Sequence, residues 1–468
     1  MDVGKFPHAL SFDDVVLLPG RSRLEPWQVD ITGKASRHVA LHVPLLAAPM
    51  DTVSEWRLAV TLALLGGMAV IHRNMSREEQ LSHVERVKSH PVIELSSIYM
   101  ASLDECCRAR DLLRSLGIRE APVVDGGKVV GWVRLTSLLS CSCGTPVAKH
   151  MEPPRHVYEA DNAEEARKLI LGGGADAAAI TVSGVYLGTV TVHEALADYQ
   201  PLLDEEGRLR VAAAISPFDI ERARLLGKHV DVLVTDVAHF HNDNVLRATK
   251  RIAKETTADL VVGNLGTVEG VIDAFTVVEK VDGLRMGIAG GNICTTSGVA
   301  GVASPTLYAV MQAREALRQL GVSPEEAPII ADGGIRGSGD AVKALAAGAY
   351  AVMAGYLLAG TDEAAAPPIR IGGALYKPYR GMASRGALER RHAADRYSRV
   401  SKKVEEGIEG LVPYKGPLRR VVEEFVEGLR AGLGYAGAAS IPELWRGARF
   451  ARISSRIGAF TGTVKTRA

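Results

Sequence analysis

Cys294 is set apart from the other four cysteines of the chain, Cys106, Cys107, Cys141 and Cys143, by the glycines before it and the hydroxyls after it. It follows Gly290-Gly291 and precedes Thr295 and Thr296. Backbone N–H groups in such a loop stabilise a thiolate, and a thiolate is a strong nucleophile. Away from a cleft the same residue would be a small inert hydrophobe. Gly333-Gly334 and Gly355 could present backbone N–H groups to a phosphate; glycines that serve only tight turns are the alternative reading. Asp332 lies directly before the first pair, where a carboxylate could hold a ribose diol. Cys141 and Cys143 have the wrong spacing for a zinc pair, and no partnering His/Cys pair follows them.

Short apolar runs must carry these residues. They are Val43–Ala48, Met68–Ile71, Arg210–Ile215, Val230–Val234, Ala258–Val262, Gly283–Ile288, Ala327–Ala331 and Ala349–Ala354. Several are rich in Val, Ile and Leu without polar alternation, as in parallel strands buried on both faces. Helical patterns follow at Glu55–Leu65, Ile220–Leu226, Asp243–Lys254, Val268–Val278 and Gly339–Ala347. Eight strand–helix units predict an α/β fold, a (β/α)8 TIM barrel, with a doubly wound sheet as competitor. In a barrel, chemistry sits in the loops after the strands. Those loops contain "AAPMDTVSE", "TDVAHFHND", "GNLGT", "GIAGGNICTT", "ADGGIRGSGD" and "AGYLLAG", which include Cys294, Thr295, Thr296, Asp332 and the glycines named above.

The chain has 468 residues, and Lys plus Arg (55) balances Asp plus Glu (54). That balance excludes a basic footprint for nucleic acid or an anionic membrane. The apolar stretch Leu58–Ile71 contains Gly66 and Gly67 and is too short to span a bilayer. Asp2, Asp13 and Asp14 interrupt any secretory-signal core, so the expectation is a cytoplasmic protein. An odd number of cysteines without such a signal is not a disulfide framework. Asn and Gln together number 11, a scarcity that points to a thermophilic source, where an intracellular disulfide is less surprising.

Residues from about 90 to 200 interrupt the barrel pattern with two similar halves, "LGIREAPVVDGGKVVGWVRLTSLL" and "GGGADAAAITVSGVYLGTVTVHEAL". Each reads helix, strand, glycine turn, strand, helix, a unit that pairs with its twin to bury a shared face. The predicted organisation is therefore barrel over 1–89, inserted tandem module over 90–200, and barrel again over 201–468. Lys377–Lys415, rich in Arg, Lys, Gly and Tyr, is expected to lack clear elements, and Pro417–Leu433 to form one more amphipathic helix.

The segments "SFDDVVLLPG", "APMDTVSE", "GGMAVIHRN", "GNLGTVEG", "NICTT", "ADGGIRGSGDAVKALAAGA", "YRGMAS" and "EGIEGLVPYKG" together resemble the IMP dehydrogenase / GMP reductase family, in the family's order. The resemblance makes the inserted repeat similar to a tandem CBS (Bateman) module. It implies oxidation of IMP to XMP with NAD, in which Cys294 attacks C2 of the purine and Thr296 assists. Arg396 and Tyr397, in "DRYSRVSKKVEEGIEG", match a mobile flap's dyad that activates the hydrolytic water; reductases of the family lack it. The resemblance further implies substrate contacts at Asn292, Asp332, Gly333, Gly334, Gly355, Tyr356, Tyr379, Gly381, Met382 and Glu406. Cofactor contacts fall at Asp236, Val237, Asn264 and Gly287, and a potassium (K+) site at Gly287, Gly291 and Cys294. It also implies a homotetramer, or an octamer formed through the CBS modules. GMP reductase, a paralogue acting on another purine nucleotide, and a non-catalytic nucleotide sensor are the alternatives.

Several positions depart from the family's pattern. Asn292 and Tyr356 stand where serine is usual, Phe240 where glycine is usual, and Val237 where Ser or Thr is usual. Ser297 and Thr306 replace Arg and Gln, and the ending "FTGTVKTRA" differs from the segment that helps hold a cation. In the module, Arg134 and Ser137, then Thr191 and Glu194, stand where a nucleotide-binding Thr/Ser-x-x-Asp pattern is expected, so nucleotide binding is plausible in the second half alone.

Overall fold

The computed structural model describes residues 7–195, 200–291, 293–390 and 406–453. Two compact units emerge, one formed by Met1–Lys88 with Pro201–Ala468 and the other by Ser89–Gln200.

The first unit is built on a closed parallel barrel of eight strands. These are β1 (Leu45–Ala47), β2 (Met68–Ile71), β3 (Ala212–Ile215), β4 (Val232–Thr235), β5 (Asp259–Leu265), β6 (Gly283–Met286), β7 (Ile329–Asp332) and β8 (Ala351–Ala354). They neighbour one another in chain order, and β8 pairs with β1 through Val352 opposite Leu45. Every strand residue is buried except Asp332, which is half-buried at the C-terminal tip of β7. That double-faced burial is why the strands read as continuous apolar runs. Leu46, Met68, Val70, Val232, Val234 and Met353 are among the side chains of the core. A small hairpin, Gly33–Lys34 with Ala40–Leu41, adds Ala35, Val39 and Leu41 to that cluster. Its Arg37 N donates to Asp282 O at the start of β6, so the hairpin closes the end opposite the β7 tip.

Helices follow the strands as the 3.6-residue pattern requires, at Trp56–Leu64, Ile220–Leu226, Asp243–Ala253, Val268–Val278 and Ser338–Ala347. Asn242 and Thr267 cap two of them by accepting from Asn244 N (3.0 Å) and Gly270 N (3.2 Å). Leu418–Ala436 is the late amphipathic helix. The segment expected to lack elements is different. Strands β9 (Ile369–Ile371), β10 (Ala374–Arg380) and β11 (Glu409–Pro413) form an antiparallel sheet. Its signal was the Gly372-Gly373 pair, whose φ values of 55° and 88° make the two-residue turn of a hairpin. Pro378 inside β10 and the long excursion before β11 hid the strands.

Where the chain leaves and re-enters this unit, Lys88 Nζ donates to Asp204 (2.9 Å) and Asp231 (2.8 Å), tying the two ends together.

The second unit repeats its topology. Helix Cys106–Leu116 precedes the hairpin Glu120–Asp125/Lys128–Arg134, and helix Ala163–Leu171 precedes Ala177–Val182/Val185–Thr191. Both turns use left-handed backbone, at Gly126-Gly127 and at Ser183-Gly184. Each half has its own small core, and the halves are linked by Arg119, whose Nε donates to Asp176 Oδ2 at 2.7 Å. Cys106 and Cys141 form a disulfide, while Cys107, Cys143 and Cys294 are free. Glu194 accepts from Thr191 N (2.8 Å) and Oγ1 (2.5 Å), so the carboxylate that a ribose would need is turned onto its own hairpin.

Candidate active site

The loops at the C-terminal ends of the strands, together with the β10–β11 sheet, line a cleft that is open to solvent on one side.

Cys294 and Thr296 stand on one wall, and Glu406 comes from the segment leading into β11. The Sγ of Cys294 lies 3.2 Å from Thr296 Oγ1, and that hydroxyl donates to Glu406 Oε2 at 3.1 Å. Glu406 is 3% exposed. A thiol, a hydroxyl and a buried carboxylate therefore form one proton path. Main-chain bonds hold it: Thr295 N donates to Glu406 O (3.0 Å), Ile408 N to Ile293 O (3.0 Å), and Glu406 N to Ala383 O (3.2 Å). The cysteine loop is thus zipped to the segments that carry Gly381, Met382 and Glu406, all three of which line the cleft.

Asp332 also opens into the cleft. Its Oδ2 accepts from Arg285 Nε (2.8 Å) and from Asn264 Nδ2 (2.8 Å). Both bonds fall on one oxygen, which leaves the other to accept from a diol. Arg285, on β6, is a residue the sequence reading missed. An arginine inside an apolar strand was the available signal, because a buried guanidinium demands carboxylate partners. It also donates to Asp236 Oδ1 (3.2 Å), and Asp236 pairs with Arg73 at 3.3 Å. Asp236 and Val237, expected as cofactor contacts, are buried behind the wall and do not line the cleft, because Asp236 serves these arginines. Asn264 and Gly287 do line it. Phe240 is fully buried as well, so its bulk fills the core and not the cleft. Thr306, where glutamine is usual, donates to Asp332 O (2.9 Å) and fixes the end of β7.

Gly333, Gly334 and Gly355 form the floor opposite the cysteine, with Tyr356 and Tyr379 beside them. Gly333 (φ 99°) and Gly334 (φ 75°) adopt left-handed backbone, and a Cβ on Gly355 would stand 2.9 Å from the Tyr379 hydroxyl. Side-chain-free backbone and a phenol thus approach one another beside the cleft. Burial, reinforced by the Asp332 carboxylate and Tyr356, raises the Tyr379 phenol well above its ordinary value and keeps it a donor. Behind Tyr356, the Lys415 ammonium sits 4.8 Å from the ring centroid and donates to Tyr356 O (2.9 Å). Burial pulls that lysine down to about 8.

On the neighbouring flank, Arg380 binds Asp51 through two bonds of 3.0 and 2.6 Å, and Asn74 Nδ2 adds a third at 2.8 Å. Burial would raise Asp51, but these bonds outweigh it and hold the carboxyl below its usual range. The pair anchors β10 to the loop after β1. Asn292, Arg396 and Tyr397 lie outside the described residues. Gly287 O accepts from Asn264 Nδ2 (2.9 Å), and Gly291 O from Cys294 N (3.1 Å) within its own turn, so each carbonyl expected to hold potassium keeps a second lone pair.

A closed (β/α)8 barrel whose one mouth gathers a cysteine, a threonine, two carboxylates and a run of glycines has the layout of a TIM-barrel enzyme. The profile of the IMP dehydrogenase / GMP reductase domain matches residues 9–460, and the chain belongs to that family of oxidoreductases. It is 46% identical to inosine-5'-monophosphate dehydrogenase of Korarchaeum cryptofilum, over 97% of this chain and 96% of that one. Its identity to the enzyme of the same name from Thermoplasma acidophilum is 40%, covering 96% and 93%. Among solved structures it is similar to a cysteine-to-alanine variant of GMP reductase from Trypanosoma brucei in complex with guanosine 5'-monophosphate. That match has a TM-score of 0.69 and 34% identity over 96% of each chain.

Proposed function

We propose that the chain oxidises IMP to XMP with NAD+ as hydride acceptor, through a covalent intermediate on Cys294, as a step toward guanine nucleotides. The observation that carries this reading is the contact series Cys294 Sγ, Thr296 Oγ1, Glu406 Oε2 at 3.2 and 3.1 Å beside a diol carboxylate and a phosphate floor. The 5'-phosphate rests on Gly334 and Gly355 N–H groups and the Tyr379 phenol, and the ribose diol on Asp332, which places C2 of the base at Cys294. The thiolate adds to C2, and the hydride on C2 leaves to NAD+. The resulting thioimidate is hydrolysed: water adds to C2 and loses its proton, and Cys294 departs as thiolate. Thr296 and Glu406 supply one acceptor path for that proton. Arg396 and Tyr397 supply the second on the family's pattern. No step runs through potassium.

NADH absorbance during incubation with IMP and NAD+, run beside GMP and NADPH, tests the reading. Turnover in the first reaction is expected, and consumption of NADPH in the second alone would overturn it. A second reading, GMP reduction, draws on the solved reductases that match the whole chain. Arg396-Tyr397 favours the dehydrogenase. The same reading makes the protein a cytoplasmic homotetramer, or an octamer through tandem CBS modules in the inserted unit. The barrel binds a small purine nucleotide, with no nucleic acid or membrane partner. Among the described residues no helix is long and apolar enough to cross a membrane.

A further inference from the structure

Four of the five cysteines lie in the first half of the inserted unit, and the reaction at the barrel uses none of them. Cys106 and Cys141 are joined and buried, at 0% and 8% exposure. Cys107 is the next residue of helix Cys106–Leu116 and is half-buried, and Cys143, two residues beyond Cys141, is exposed. The buried bond and the Cys106 N to Thr145 O hydrogen bond (2.9 Å) pin residues 141–145 at both ends against the first turn of that helix. The free thiols are thereby brought together. The neighbouring Cys107 is the largest influence on the Cys143 thiol and raises it, the Arg110 guanidinium acts the other way, and the Glu105 carboxylate lies 3.8 Å from Cys107. Two neighbouring thiols, reachable from solvent, differ in kind from the sealed disulfide beside them. Exposed disulfides are the exchangeable ones, and buried ones resist reduction.

We propose that Cys107 and Cys143 are a redox-active pair that closes reversibly into a second disulfide beside the Cys106–Cys141 bond, by exchange with a low-molecular-weight disulfide. One of the two thiolates attacks a sulfur of the oxidant, forming a mixed disulfide and releasing one thiol. The other, after losing its proton, attacks the protein sulfur of that mixed disulfide and releases the second thiol. The pair loses two electrons and two protons in all, and the small disulfide is reduced to two thiols. The second attack is intramolecular, between groups the buried disulfide holds near each other, so it outruns attack by free thiol. Closure adds a staple between residues 141–145 and the helix, and excess small thiol reopens it while the buried bond stays closed.

The test uses the full chain carrying Cys294→Ser, so that Cys107 and Cys143 are the only free thiols. After incubation with oxidised glutathione, titratable thiols are expected to fall from two to none. Intact mass should show loss of two hydrogens and no retained glutathione. Adding Cys143→Ser, at an exposed position, should leave one glutathione adduct on Cys107. Partial reduction followed by alkylation should label Cys107 and Cys143 before Cys106 and Cys141. Two persistent glutathione adducts, unreacted thiols, or first labelling of Cys106 or Cys141 would each overturn the proposal.

Discussion

The barrel and the inserted unit stabilise themselves in opposite ways. In the barrel, eight strands are buried on both faces, and one large core results. That surplus of apolar burial supports an expensive buried polar network, Arg73–Asp236–Arg285–Asp332, at the catalytic mouth. The inserted unit splits its apolar residues among three small clusters, one of which joins its halves through Trp132, Ala177 and Ala179. It relies on a disulfide and on the Arg119–Asp176 pair, as small modules do. Buried charge therefore concentrates where the core is largest, and the disulfide where it is smallest.

The sharpest way to break this contrast is Cys294→Ala. Turnover should fall by about 10⁴-fold or more, the scale of losing a nucleophile, while equilibrium binding of IMP stays measurable. Glu406→Gln comes next. It keeps the shape of the site but removes the carboxylate behind Thr296, so kcat should drop by roughly 10²-fold with little change in KM, read in steady-state NADH assays. A drop in KM affinity without loss of kcat would assign Glu406 to binding.

Asp51→Ala probes stability near the mouth. It strands Arg380, whose side chain is 20% exposed and can rehydrate. The cost should be about 2–3 kcal/mol by denaturant titration, under the 3–5 kcal/mol of a fully sealed pair. Asp51 is held below its ordinary value, so this contribution is complete above ~pH 4 and disappears as the pH falls through the depressed value. The wild-type advantage over Asp51→Ala should accordingly vanish in acid.

Replacing residues 89–200 with a short linker should have the smallest effect. Lys88 already holds both ends of the insertion through Asp204 and Asp231. Turnover by the shortened chain should stay within about threefold of the full chain, because among the described residues none that lines the cleft comes from the insert. A larger loss would mean that the two units share more than a covalent junction.

The legibility of the sequence follows the same division. The eight barrel strands could be read because buried parallel strands leave uninterrupted apolar runs, and the loop chemistry followed from their order. β10 and β11 could not, since Pro378 interrupts β10, the central strand of its sheet, and polar residues break any apolar run. Arg285 escaped because a charged residue in a strand reveals its partners only when distant loops converge. The pairing of Asp236 with two arginines far apart in sequence was hidden for the same reason. The Cys106–Cys141 pairing was one of several open connectivities until the fold brought those two together.

The central claim is that catalysis passes through a covalent bond between Cys294 and the purine. Enzyme turning over IMP with NAD+ and quenched in acid should carry a purine nucleotide, found by mass spectrometry on the peptide containing Cys294 and on no other. Full turnover with Cys294 unmodified at every quench time, together with an active Cys294→Ala variant, would contradict the account.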